Sequence, residues 1–287
     1  VVLAPAMNTN MWEHAATQAN ISTLRDRGNH IVPPGCGHLA CGMVGVGRLA
    51  ELGEIALAAE SAFSPRRDLA HETMLITAGP TQEPLDPVRF LSNRSSGKMG
   101  YALAEAARSR GARVVLVSGP VNLKPLGGVE TVRVITAREM RDAVIARLPE
   151  ATMIIKAAAV ADFHLEEIPD HKVKKTPGTF RLELSATPDI LAEVGARRAR
   201  NQLLIGFAAE TQDLVREARR KLETKNCDMV VGNLVGDGLA FDSDENAVTL
   251  VTRNKDAISV PAASKKEIAH RILDEALQLR AALPMTP

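Results

Sequence analysis

Met74-Leu75-Ile76-Thr77-Ala78-Gly79 is a short apolar run closed by a glycine. Downstream, Gly97-Lys98-Met99-Gly100-Tyr101-Ala102-Leu103-Ala104-Glu105-Ala106-Ala107-Arg108-Ser109-Arg110 has helical composition and stops at Gly111. The pair reads as a strand over 74–78 and a helix over 97–110. The same alternation then recurs along the chain. Strands are expected at Arg113–Val117, Thr152–Ala158 and Leu203–Ala208, with helices at Ala137–Leu148, Pro188–Ala199 and Thr211–Lys225. Repeated strand-then-helix units predict an α/β fold: a doubly wound, mostly parallel sheet covered on both faces. Asp228–Gly232, Ala247–Thr252 and Ala257–Val260 read as later strands, the last of them antiparallel. Ser264-Lys265-Lys266-Glu267 is a capping box that opens a terminal helix running to about Leu283.

Upstream of Met74 the pattern differs. Val1–Leu3 reads as a strand, Asn10–Arg27 as a helix closed by Gly28, and Asn29–Val32 as a strand. A glycine-rich stretch from Gly35 to Gly47 follows, then a helical segment, Ala50–Ala62. Ser64-Pro65-Arg66-Arg67-Asp68 is polar and proline-bearing and marks the expected boundary. The organisation read from the sequence is therefore 1–63, a linker 64–71, and 72–287. Because Val-Val-Leu-Ala-Pro resembles the end of a buried strand, the first domain is expected to be the C-terminal part of a longer one.

The bulk properties are those of a globular protein. The chain has 287 residues, 45% hydrophobic and 24% charged, enough to bury a sizeable core. Its 35 basic and 34 acidic side chains leave a net charge of +1, so no global field points to nucleic acid or an anionic membrane. Any anion site has to be local. The apolar runs Met153–Ile155 and Ala157–Ala161 fall far short of the ~18 residues that span a bilayer. Three cysteines, Cys36, Cys41 and Cys227, are too few and too unevenly spaced for a disulfide framework and suit a cytoplasmic setting.

Three segments carry chemistry. Ser92-Asn93-Arg94-Ser95-Ser96-Gly97-Lys98-Met99-Gly100 lies between the first strand and its helix, where open parallel sheets bind ligands. Backbone N–H groups, the hydroxyls of Ser95 and Ser96, and the helix dipole beginning at Gly97 make it an anion site, although the same residues would also serve as a well-capped helix start. It is neither a Walker loop nor the Gly-x-Gly-x-x-Gly fingerprint, and Gly79-Pro80-Thr81 lacks that fingerprint too, which weighs against a nicotinamide-dependent oxidoreductase. The second segment is Lys156 to Asp162 followed by Lys172-Val173-Lys174-Lys175. Its four lysines and one aspartate at a strand end could clamp a triphosphate with its metal, or form a solvated basic loop. The third is Gly206 to Thr211, followed by Lys221 and Lys225 one helical turn apart. Fold alone also leaves a non-catalytic nucleotide-sensing or oligomerisation module open. Cys36, His38 and Cys41 lack a second Cys-x-x-Cys and do not make a zinc site, so no metal ligand is assigned.

Taken in order, Ile76–Thr81, Pro84–Arg89, Ser92–Gly100, Ala157–Asp162, Lys172–Lys175, Pro188–Ile190 and Gly206–Thr211 resemble the ligase half of the family of bifunctional coenzyme A biosynthesis enzymes. These fuse phosphopantothenoylcysteine decarboxylase to phosphopantothenate–cysteine ligase. Residues 1–62 resemble the C-terminal part of the decarboxylase half through Pro5-Ala6-Met7-Asn8 and Gly35 to Arg48. The resemblance implies a Rossmann-like ligase domain preceded by part of a flavodoxin-like decarboxylase domain. It implies that 4'-phosphopantothenate is activated with CTP and Mg2+ to an acyl-cytidylate, which the amine of L-cysteine then attacks. In the full-length protein FMN-dependent decarboxylation follows.

The resemblance also assigns roles. Lys172 is implied as the catalytic lysine near the triphosphate, and Asn93 as the residue that handles the acyl-cytidylate. Asp162, Pro188, Asp189, Ile190, Leu191, Phe207, Lys221 and Lys225 are implied as cytidine-nucleotide contacts, and Ala158 lies against the ligand. The pattern departs at Asn233-Leu234, where Asn-Asp is expected, so no role is assigned there. In the N-terminal part Asn8 matches the substrate-binding asparagine and Cys41 the acid that reprotonates the product. Gly42 to Arg48 matches a flap over the substrate. The family's histidine base and flavin phosphate loop match nothing in this sequence, and the purified chain is expected to carry no flavin. The family further implies a homodimer through the ligase domain and larger assemblies through the decarboxylase half.

Overall fold

In the computed structural model, which describes residues 1–63, 66–174, 181–210, 212–234, 245–253 and 255–282, the chain divides into two units, Val1–Arg66 and Arg67–Pro287. In the first, β1 (Val2–Leu3) runs parallel to β2 (His30–Ile31). Two helices, α1 (Thr9–Glu13) and α2 (Ala15–Asp26), lie between them. The single helix expected over 10–27 is therefore interrupted. His14 is extended, at φ −62° and ψ 133°, and its Nδ1 accepts from the Ala16 N–H as the N-cap of α2. A side chain that takes up a first-turn N–H starts a new helix, here one turn into the old one. Gly28, at φ 83°, follows the C-cap of α2, the left-handed position the sequence suggests. The glycine-rich stretch forms an antiparallel hairpin of β3 (Gly35–His38) and β4 (Val44–Arg48), followed by α3 (Leu52–Phe63).

The second unit contains β5 (Thr73–Ala78), β6 (Gln82–Pro84), β7 (Phe90–Ser92), α4 (Lys98–Ser109), β8 (Arg113–Ser118), β9 (Glu130–Arg133) and α5 (Ala137–Arg147). It continues with β10 (Met153–Lys156), β11 (Phe163–His164), β12 (Ser185–Ala186), α6 (Ile190–Arg197), β13 (Leu203–Glu210) and α7 (Leu214–Thr224). The last elements are β14 (Met229–Leu234), β15 (Glu245–Thr252), β16 (Ile258–Ser264) and α8 (Lys265–Ala281). Eight strands make one sheet in the order β16-β15-β14-β13-β10-β5-β8-β9. Its members are parallel from β9 to β14, and β15 and β16 are antiparallel. Thr211 and Leu283, the expected limits of two helices, lie outside the described residues, as does Lys175.

Strand alternation sorts the side chains into two cores. Met74, Ile76, Met153, Ile155, Leu203 and Ile205 pack with α4 and α8, while Leu75, Ile154, Leu204 and Val230 pack with α5, α6 and α7. Each fully buried aliphatic side chain contributes about 2 kcal/mol by transfer from water. Gly100 lets α4 lie on β5: a Cβ built there would stand 2.5 Å from the Ala78 Cβ. Arg110, 1% exposed, bonds Asp68 and Asp274 at 2.8 Å each, and so ties the start of this unit to α4 and α8.

The chain leaves β5 for β8 on one side and reaches β10 on the other. The reversal opens a crevice beyond the C-terminal ends of β5 and β10, the place where doubly wound sheets bind ligands.

Candidate functional site

A cleft of about 710 Å³ occupies that crevice. One wall is Asn93–Gly100, leading into α4. Its floor is Lys156–Asp162, at and beyond the end of β10, and the far wall is Thr187–Leu191 with Phe207, Lys221 and Lys225. Gly97 is the N-cap of α4 with φ 76°, a left-handed backbone that favours glycine, and its N–H donates to the Ser95 Oγ at 3.4 Å. On the opposite wall Asp189 caps α6 by accepting from the Ala192 N–H at 2.9 Å. The cleft thus gathers the N-termini of two helices, each with first-turn N–H groups and a positive dipole end.

Charge points the same way. Six basic side chains (Arg94, Lys98, Lys156, Lys221, Lys225 and Lys265) line the cleft against two acidic ones, Asp162 and Asp189, although the chain as a whole carries only +1. A concave surface with that imbalance concentrates anions. Lys221 donates to the Phe207 carbonyl at 3.0 Å and Lys225 pairs with Asp189 at 2.5 Å. The long side chains thus climb from α7 to the ligand-binding edge. Burial pushes the Asp189 carboxyl up, but Lys225, the Ala192 N–H and Lys221 outweigh it and hold the group below its ordinary value.

Most residues singled out from the sequence meet here. Asn93, Ser95, Ser96, Gly97, Ala158, Asp162, Pro188, Asp189, Ile190, Leu191, Phe207, Lys221 and Lys225 all line the cleft. Asn93 donates through Nδ2 to the carbonyls of Ala159 at 3.3 Å and Val160 at 3.0 Å, so donation to an acyl oxygen requires those contacts to exchange. Lys172 is exposed and does not line the cleft. Its neighbour Val173 is pinned: the Val173 N–H donates to Asp86 Oδ2 at 3.1 Å, and its carbonyl accepts from Arg89 at 2.9 Å. Arg89 also pairs with Asp86 at 2.6 Å and holds its carboxyl well below the usual carboxylate range. The Pro84–Arg89 motif therefore anchors the lysine segment.

The sequence reading left Asn233, Asn246 and Lys265 without roles, yet they line the cleft. Asn246 and Lys265 come from β15 and the first turn of α8, and no local pattern announces that they converge on the crevice. In the first unit Asn8 donates to the Cys41 Sγ at 3.1 Å. The Met43 N–H is the main influence and lowers the Cys41 thiol; burial opposes it, and the Asn8 amide and the Cys41 N–H add to the lowering. Among the described residues no group of three His, Cys, Asp or Glu side chains could hold a metal ion, and no helix is long and apolar enough to cross a membrane.

Comparison with known proteins agrees with this geometry. Residues 69–279 match the family described as DNA/pantothenate metabolism flavoprotein C-terminal domain, and residues 1–62 match the family described as Flavoprotein. The coenzyme A biosynthesis bifunctional protein CoaBC of Bacillus subtilis (strain 168) is 47% identical over 279 residues, covering 96% of this chain and 68% of that protein. The crystal structure of the C-terminal domain of a CoaBC protein superposes with a TM-score of 0.63 at 43% identity, covering 73% of this chain and 96% of that one. A Cab2 variant in complex with phosphopantothenate-cysteine shares the fold, with a TM-score of 0.62 at 19% identity over 74% of this chain and 89% of its own.

Proposed function

The chain belongs to the coenzyme A biosynthesis bifunctional family, and from that premise we propose that its second unit ligates 4'-phosphopantothenate to L-cysteine with CTP as the activating nucleotide. The observation that carries the reading is the cleft itself: six basic side chains and two helix N-termini at the reversal point of the sheet. Such a site suits two anionic substrates held side by side.

The reaction runs in two steps. The carboxylate oxygen of 4'-phosphopantothenate attacks the α-phosphorus of CTP and pyrophosphate leaves. The amine of cysteine then attacks the acyl carbon, losing a proton as the amide forms, and CMP leaves. A carboxylate is a poor electrophile until its oxygen belongs to a phosphoester, and charge builds on phosphate oxygens while that bond forms. Preorganised donors supply most of the stabilisation. Here they are the α4 N-terminus at Ser95–Gly97 and the lysines of α7, with Lys172 brought in on the segment that Asp86 and Arg89 anchor. Asn93 spans the strand-end loop and orients the acyl group. With two carboxylates lining the cleft among the described residues, Mg2+ would enter on the nucleotide phosphates, neutralising their charge.

For the first unit we infer the part of a flavin-dependent decarboxylase that carries the proton donor. Cys41, beside Asn8 and with its pKa lowered by the Met43 N–H and the Asn8 amide, suits an acid that returns a proton to the product carbanion. FMN belongs to the same reading.

The test is direct. The purified chain is mixed with CTP, Mg2+, 4'-phosphopantothenate and L-cysteine, and pyrophosphate is followed. Release should depend on CTP and on 4'-phosphopantothenate, and ATP should substitute poorly. Absence of CTP-dependent release would refute the ligase assignment.

A further inference from the structure

One polar group of the cleft is not accounted for by the contacts above. Lys156 ends β10, the strand beside the crevice, with Thr77 of β5 on one side and Gly206 of β13 on the other. It stands two residues from Ile154 and so shares its face of the sheet, the one covered by α5, α6 and α7. The residue is 6% exposed and lines the cleft. Its Nζ has no hydrogen-bond partner among the described residues. Other lysines of the cleft are anchored: Lys221 on a backbone carbonyl and Lys225 on Asp189. Thr77, its neighbour on β5, is engaged elsewhere, accepting from the Ala158 N–H at 3.1 Å.

A buried amine without a partner costs free energy that a merely structural residue would not retain, because an apolar side chain of the same length fills the space without the penalty. Burial in fact pushes the Lys156 ammonium down to about 7, with Asp189 opposing. An anionic oxygen entering the cleft would restore the missing hydrogen bond and compensate the charge, and such charge-assisted bonds are the stronger class. Phosphate and carboxylate oxygens share that chemistry.

We propose that Lys156 is a ligand-binding residue of the cleft whose Nζ donates to an anionic oxygen of a bound substrate, drawn from either the nucleotide or the acyl substrate. The assignment rests on the ligase reading above.

Calorimetric titration of wild type with CTP and, separately, with 4'-phosphopantothenate comes first. If neither binds, the ligase reading and the role of Lys156 fall together. If wild type binds, Lys156→Met should leave the melting temperature at or above that of wild type while weakening one ligand about ten- to hundredfold. Weakening confined to CTP assigns the phosphates; weakening confined to 4'-phosphopantothenate assigns the acyl substrate. Binding of both within about twofold of wild type, a shift too small to represent a lost charge-assisted bond, overturns the role of Lys156 and leaves the ligase reading standing. Should Lys156→Met not fold, structures of wild type with each ligand decide. Nζ about 3 Å from a ligand oxygen in either complex is expected, and Nζ bonded to no ligand oxygen in both overturns the proposal.

Discussion

At the scale of single residues, the two half-reactions should come apart. In the proposed reaction the two residues have separate parts: Lys172 is assigned to the charge that develops as pyrophosphate leaves, and Asn93 to the acyl-cytidylate afterwards. Lys172→Gln should slow acyl-cytidylate formation by about a hundredfold or more, the usual cost of one electrostatic donor. Asn93→Asp should form the intermediate and then accumulate it, because a carboxylate beside the acyl oxygen repels the developing charge. Both are read by quenched-flow separation of the cytidylate. Near-normal pyrophosphate release by the lysine variant removes Lys172 from the mechanism, and normal turnover by the asparagine variant removes Asn93. The structure adds a constraint that the residue types did not contain. Lys172 sits on a segment outside its own cleft, held through Val173 by Asp86 and Arg89, so its action requires that segment to move or a second subunit to receive it.

At the scale of elements, the contact between α4 and β5 sets the width of the crevice. Gly100→Ala places a methyl group 2.5 Å from the Ala78 Cβ. Helix propensity alone favours alanine by about 1 kcal/mol, whereas overpacking of that contact costs about 1–3 kcal/mol. The unfolding midpoint in urea should therefore fall, and KM for the anionic substrates should rise as α4 and its N-terminal donors are pushed out. A midpoint above wild type would show that the helix does not rest on the strand at this position. Much at this scale was legible in the sequence. The strands β5, β8, β10, β13, β14, β15 and the start of β16, and the helices α4 to α8, follow from apolar runs, glycine stops and one capping box. What was missed has physical reasons. β9 is a four-residue edge strand with no fully buried side chain, and its polar composition hides it. The antiparallel pairs β6–β7 and β11–β12 are too short for a period to register. His14 broke a helix that composition alone would continue.

For the whole molecule, the expected assembly is a homodimer through the ligase unit. Val88, Phe90, Phe163 and Ile168 are 60, 51, 53 and 47% exposed, and they lie in or beside the two small antiparallel pairs, β6–β7 and β11–β12, that contact each other through β6 and β11. Exposed apolar side chains gathered in that way mark an interface more often than free surface. Light scattering should give twice the monomer mass, and a Phe90→Glu, Phe163→Glu pair should shift the protein to monomer. A monomeric wild type at micromolar concentration would overturn the dimer.

By itself, the sequence determined the doubly wound topology and the family, and it singled out the segments 92–100, 156–162 and 188–191 that line much of the cleft. Those features are local: a period, a glycine, a cap, or a motif whose residues stay together along the chain. Only the tertiary structure decided that Asn246 and Lys265 join the cleft, that Lys172 stands outside it, and that Lys156 lines it buried and with no hydrogen-bond partner among the described residues. Each of those facts depends on which strands lie side by side and on how far a side chain is removed from water. Both are set by packing between residues distant in sequence, and no local pattern records them.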